Sequence, residues 1–243
     1  AMLKRAILPC LIFGLSVTST ASADWFFQPK AGFEIRNVEF ESGNLQGSAS
    51  IPSMILGFSV VNSGGYYFDL DFSSGNSEVS DFYPEDDYIE RFDVTLSAGY
   101  SLGDGLTVFG GINSTDTQIE NQKGQVNQPV DYQIIAEGPF LGLAKTFSVD
   151  KSSSITASIA AGMMTGKYES TDIELDPLDG EGDSIGYSAS VSYTKRIEKT
   201  TISAGIKNQS YTYSDMTTYQ DNSALPDASD EMTSFFVKAA YTF

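Results

Sequence analysis

The sequence contains no histidine. That removes the side chain most often used for proton transfer near neutral pH and the commonest neutral metal ligand. It has one cysteine, Cys10, inside an apolar N-terminal stretch, so the chain can close no internal disulfide, and beyond that stretch it offers no thiolate nucleophile. Cations are scarce: 14 Lys and Arg stand against 32 Asp and Glu, a formal charge of −18. Nucleic-acid binding needs a basic face, and this balance argues against one. After the first two dozen residues no apolar run approaches the roughly 20 residues of a helical membrane span. Phosphate loops, dinucleotide fingerprints and zinc spacings are missing too. Aromatic residues are not scarce. Sixteen Phe and 13 Tyr argue against the disorder that such charge would otherwise suggest.

What is present begins with an export pattern. Met2-Leu3-Lys4-Arg5 is basic, Ala6 to Val17 is mostly apolar, and Ala21-Ser22-Ala23 fits a small-x-small cleavage site. Residues 1–23 are expected to be a signal peptide and residues 24–243 a single domain. Leu8-Pro9-Cys10 is a poor lipidation site, because the apolar run continues past it.

From Phe27 onward, apolar and polar residues alternate at period two in ten segments. The predicted strands are about 27–38, 51–61, 66–73, 89–101, 106–117, 138–148, 154–166, 184–196, 200–211 and 235–243. The clearest is the eighth, where Ile185, Tyr187, Ala189, Val191 and Tyr193 alternate with Gly186, Ser188, Ser190 and Ser192. Asn62-Ser63-Gly64-Gly65 and Gly103-Asp104-Gly105 are tight turns, since Gly and Asn accept positive φ cheaply. Connections after even-numbered strands are about two to five residues. Those after odd-numbered strands run from about a dozen to about twenty. Turns short at one end and long at the other describe a closed, antiparallel, up-and-down transmembrane β-barrel, an all-β fold. Ten strands is the expected count. Eight or twelve stay open, because Phe140 and Leu141 compete for one face and 113–137 is ambiguous.

The last residues carry a resemblance. Phe235, Val237, Ala239, Tyr241 and Phe243 share one strand face and the sequence ends on the aromatic. This is similar to the C-terminal signal of small Gram-negative outer-membrane β-barrel proteins, and the likeness to that broad family runs from residue 24 onward. It implies outer-membrane residence, contact with lipid and lipopolysaccharide, and recognition by the barrel-assembly machinery through Phe235, Val237, Tyr241 and Phe243. A monomer is expected. Histidine-dependent barrel enzymes such as the omptin proteases have nothing to map onto here, so no catalytic role is expected.

If the apolar faces meet lipid, the polar faces line the lumen. Lys30, Arg36, Arg91, Lys207 and Lys238 then face Glu34, Asp69, Asp71 and Asp93. These nine form either a salt-bridge plug or a narrow pore with a charged, polar lumen. Arg91 is expected to pair with Asp71 on the neighbouring strand. Aromatics are expected in two girdles: Trp25, Phe26, Tyr66, Tyr100, Phe147, Tyr193 and Phe243 at the short-turn end, and Phe40, Tyr88, Tyr168, Tyr211 and Phe235 at the other. The long loops, taken as 39–50, 75–90, 114–137, 168–183 and 214–231, hold 24 of the 32 acidic residues. Function is therefore expected in a structural barrel or passive narrow pore, or alternatively in adhesin-like or cation-binding loops. Asp176, Asp179, Glu181 and Asp183 are a weak divalent-cation candidate that departs from the EF-hand pattern. No other cofactor is indicated.

Overall fold

The computed structural model describes residues 24–42, 45–79, 87–121, 131–171, 179–219, 223–225 and 227–243. The expected signal peptide, residues 1–23, lies outside them. The strands are β1 (Trp25–Ser42), β2 (Leu45–Asn62), β3 (Tyr66–Val79), β4 (Asp87–Gly103), β5 (Leu106–Asn121), β6 (Asp131–Ser148), β7 (Ser153–Thr171), β8 (Gly180–Ile197), β9 (Thr200–Thr218) and β10 (Ala228–Tyr241). Each pairs antiparallel with its sequence neighbours, and β1 closes on β10. Closure leaves no unpaired edge, which an apolar exterior requires. The count is ten, and the eight- and twelve-strand alternatives fall away.

Stepping across paired residues from Lys30, through Asp71, Asn113, Met164 and Tyr213, returns to β1 at Ser42, twelve residues above the start. That stagger requires strongly tilted strands, roughly 35–45° from the barrel axis. The tight turns behave as their residues require. Gly103, Asp104 and Gly105 all have positive φ, and Gly65 follows at +93° with its N–H bonded to the Asn62 carbonyl. In the 149–152 turn the Asp150 carboxylate accepts the Ser152 N–H at 2.7 Å, and the Ser152 and Ser153 hydroxyls also donate to it. These bonds pull its pKa down to about 2.

The strands are longer than the sequence pattern indicated. They run 14 to 19 residues, whereas a membrane crossing needs about 9–11. The surplus stands beyond the apolar belt, and there the alternation reverses. On β1, Phe33 and Ile35 point outward and are half-exposed, while Glu34 and Arg36 are buried. Two residues on, Asn37 and Glu39 point outward and Val38 is buried. The strand keeps its pairing throughout, so only the chemistry of the two faces is exchanged. Much of what the sequence suggested as long loops is therefore strand. Glu39, Glu41, Glu90, Asp116, Glu137, Glu169, Asp183 and Glu231 lie on the outer wall of this extension rather than in loops.

Two apolar clusters fill the inside of the extension. Val38, Ile51, Ile89, Ile119 and Met232 form one; Ile134, Ala136, Met164, Tyr211, Tyr213 and Met216 form the other. This corrects the expected upper girdle. Tyr211 is 2% exposed, and Phe40 and Tyr168 pack against the second cluster. At the short-turn end the aromatics face outward: Trp25 stacks on Phe68 at 6.3 Å, and Tyr66 meets Tyr100 at 4.5 Å. On β6, Leu141 points outward and Phe140 inward, where it meets Phe109 edge-on at 6.2 Å.

Candidate functional site

The lumen begins from the inward positions of β1, β3, β4, β9 and β10. Strand parity brings Lys30, Glu34, Arg36, Asp69, Asp71, Arg91, Asp93, Lys207 and Lys238 to the inside of the wall, and Asp230 with them. The register then sorts them into two groups. Nearer the short turns, the Lys30 ammonium lies 2.7 Å from both Asp69 and Asp71, and Lys238 is 3.5 Å from Asp71. The Ser59 hydroxyl also donates to Asp69. Higher up, Arg36 Nε donates to Glu34 at 2.6 Å, and its Nη1 makes a 2.8 Å ion contact with Asp93 that is not a well-directed hydrogen bond. Arg91 bridges Asp93 at 3.4 Å and Asp230 at 2.6 Å.

The expected Arg91–Asp71 pair does not form. Arg91 sits opposite Gly75 on β3, and Asp71 sits opposite Thr95, four residues lower. The lower lysines take Asp71, and the Arg91 guanidinium reaches Asp230 on β10. Asp230 falls in the 214–231 stretch expected as a loop, but it lies on β10. Its parity with Lys238, eight positions later, is the signal that places it in the lumen. Among the described residues of the lumen, it joins four other carboxylates that face the five cations.

Burial runs in one direction along this column. Side-chain exposure is 10% at Lys30, 24% at Asp69 and Asp71 and 28% at Lys238, but 1% at Arg36 and 0% at Arg91. Solvent reaches the lower group from the short-turn end. The apolar clusters surround the upper group and continue beyond it: Ile51 is paired opposite Arg36, Tyr211 opposite Asp230, and Val38 is the next inward residue after Arg36 on β1. Ion pairs in so dry a setting are held by geometry: each charge is costly alone and nearly neutral in company.

The opposite wall is built differently. Below Met164, the inward residues of β7 and β8 that face the cavity are small, including Ser158, Ala160, Ser188 and Ser190. The Phe109 ring packs against Gly142, where even a Cβ would come within 2.4 Å of it. A cavity of about 210 Å³ results, bounded by Tyr67, Asn113, Ser158, Ser190, Lys207 and Tyr211 among others. Asn113 and Gln209 amides donate to the Tyr211 hydroxyl at 3.1 and 2.8 Å, roofing the cavity below the apolar clusters.

The remaining candidates lie elsewhere. Phe235, Val237 and Tyr241 face outward from β10; Phe243 donates its N–H to the Phe27 carbonyl at 3.1 Å and stacks edge-on with Tyr241 at 4.9 Å. Of the acidic cation candidates, Asp176 falls outside the described residues. The Asp179 carbonyl accepts the Tyr219 N–H, the Glu181 carboxylate accepts the Tyr219 hydroxyl at 3.0 Å, and Asp183 is exposed on the outer wall. Among the described residues no three carboxylates, thiols or imidazoles converge as a metal site would need.

No protein-family model matches the sequence, and no curated protein matches it. Solved structures do share the fold. The outer-membrane protease OmpT from Escherichia coli is similar over 93% of this chain and 99% of its own, with a TM-score of 0.62 and 9% sequence identity. The translocator domain of the autotransporter NalP from Neisseria meningitidis is similar over 93% of this chain and 90% of its own, with a TM-score of 0.53 and 10% identity. The fold is that of an outer-membrane β-barrel. Fold alone does not assign an activity, since a protease shares it.

Proposed function

We propose that this chain is an outer-membrane structural barrel, closed to through-flow and without catalytic activity, that holds an acidic collar above the membrane. One observation carries the reading: inward charged residues pass from partly exposed near the short-turn end to fully buried among two apolar clusters. A passive pore needs continuous water. Here Arg36 and Arg91 are locked between carboxylates, Ile51 is paired opposite Arg36, and Val38 and Met232 are the next inward residues beyond it on their paired strands. The apolar belt supports membrane residence, since outward Phe33, Met54, Leu56, Phe72 and Leu96 would otherwise meet water. The absence of histidine supports the non-catalytic part. In planar bilayers the folded protein is expected to give no discrete, salt-dependent openings. Heat-modifiable migration of the same preparation verifies that the barrel is closed and folded. Stable conductance steps in the wild type would overturn the reading.

A further inference from the structure

We propose that the cavity beside Lys207 is a binding site for a small organic monocarboxylate that enters from the short-turn end. The inference rests on the closed-barrel reading for its blind upper end. Five carboxylates described in the lumen are already engaged: Asp69 and Asp71 by Lys30, Glu34 by Arg36, Asp93 by both arginines, Asp230 by Arg91. Lys207 is the fifth lumen cation, and among the described residues it has no carboxylate within 4 Å. The acids that act on it from further off, Asp93 and Glu34, are the ones held by arginine. Its register neighbours are Ser190 on β8 and Ser234 on β10, neither charged.

The rest of the cavity suits one charge on a compact body. Ser158 and Ser190, hydrogen-bonded to each other at 2.7 Å, offer hydroxyls on the wall beside Lys207. Phe109 and Phe140 supply an aromatic wall. The volume of about 210 Å³ corresponds to about seven waters, the scale of benzoate rather than of an oligosaccharide or peptide. A second negative charge is disfavoured, because Asp69 also borders the space. A lone ammonium, hydroxyls and a flat apolar surface therefore point to a monoanion with a small aromatic or aliphatic body.

The test is calorimetric titration of the folded full chain in detergent with benzoate, with the neutral isostere benzamide in parallel. Saturable benzoate binding is expected, with benzamide weaker by roughly tenfold or more. Lys207→Met should weaken benzoate by a similar factor. Ala160→Leu keeps the charge but occupies the cavity, and it should weaken benzoate too. Should Lys207→Met fail to fold, the benzamide comparison and Ala160→Leu still decide. No saturable binding, or binding indifferent to ligand charge and cavity filling, overturns the site. Conductance separates the two readings: a closed barrel that ignores benzoate loses only the site, whereas a conducting barrel loses the closed lumen.

Discussion

At the residue scale, Arg91 shows how partner choice is made. Its own strand offers Asp93, two positions on, and the neighbouring strand offers Asp71. The guanidinium takes Asp93 and passes over Asp71 for Asp230, 139 residues away in sequence. Gly75 opposite Arg91 presents no side chain to obstruct it. Removing one partner of a buried pair strands the other charge, at roughly 3–5 kcal/mol. Arg91→Ala and Asp230→Asn are therefore each expected to cost about that much in detergent unfolding, and the double variant far less than their sum. Arg91→Ala with Asp71→Ala should be additive within about 0.5 kcal/mol. Strong Arg91–Asp71 coupling with none to Asp230 would show the register argument to be wrong.

At the scale of the element, each strand is one hydrogen-bonded object with two chemical zones. The lower zone meets an apolar surrounding and turns its charges inward; the upper zone meets water and turns its charges outward, apart from the buried Arg91–Asp230 pair. The zones predict opposite responses to one kind of substitution. Met54→Arg places a charge on the apolar belt and should cost about 2–4 kcal/mol, whereas Glu39→Arg, on the outer wall of the paired strand, should cost about 0–1 kcal/mol. Ile51, three residues before Met54 along β2, points inward and is 0% exposed. Ile51→Ala should cost about 2–5 kcal/mol through the cavity it leaves. Equilibrium unfolding of the three variants from one lipid or detergent system checks the pattern. Equal costs for Met54→Arg and Glu39→Arg would contradict a two-zone wall.

At the scale of the whole molecule, closure is the event that everything else depends on. The first and last strands meet along β1–β10, thirteen residue pairs from Lys30–Ala240 to Ser42–Ala228. Phe243 extends the seam past the last strand by its bond to the Phe27 carbonyl and its ring contact with Phe27 at 6.4 Å. Deleting Phe243 removes that fastening and the terminal aromatic of the expected insertion signal. A lower outer-membrane yield and faster loss in the periplasm are expected, read by membrane fractionation and heat-modifiable migration. Undiminished yield of a fully folded barrel would remove Phe243 from assembly.

Strand chemistry is legible along the chain. Period-two alternation is local, so the inward parity of Lys30, Arg91 and Lys207 and the outward parity of Leu56 and Val191 could be read without knowing any neighbour. Turn residues are equally local, which is why Gly65 and Gly103–Gly105 lie where their permissive backbones suggest. The upper zone is hidden from that pattern because the alternation reverses there: Val38 and Tyr211, apolar and inward, are where the predicted strands 27–38 and 200–211 end. Only the tertiary structure decided which charges meet. Pairing across the lumen depends on register and on a stagger of twelve residues around the closed sheet, a property of ten strands together. It places Asp230 beside Arg91, separates Arg91 from Asp71, and leaves Lys207 facing open space. Periodicity is set by each residue's own neighbours along the chain, whereas charge partnership is set by closure.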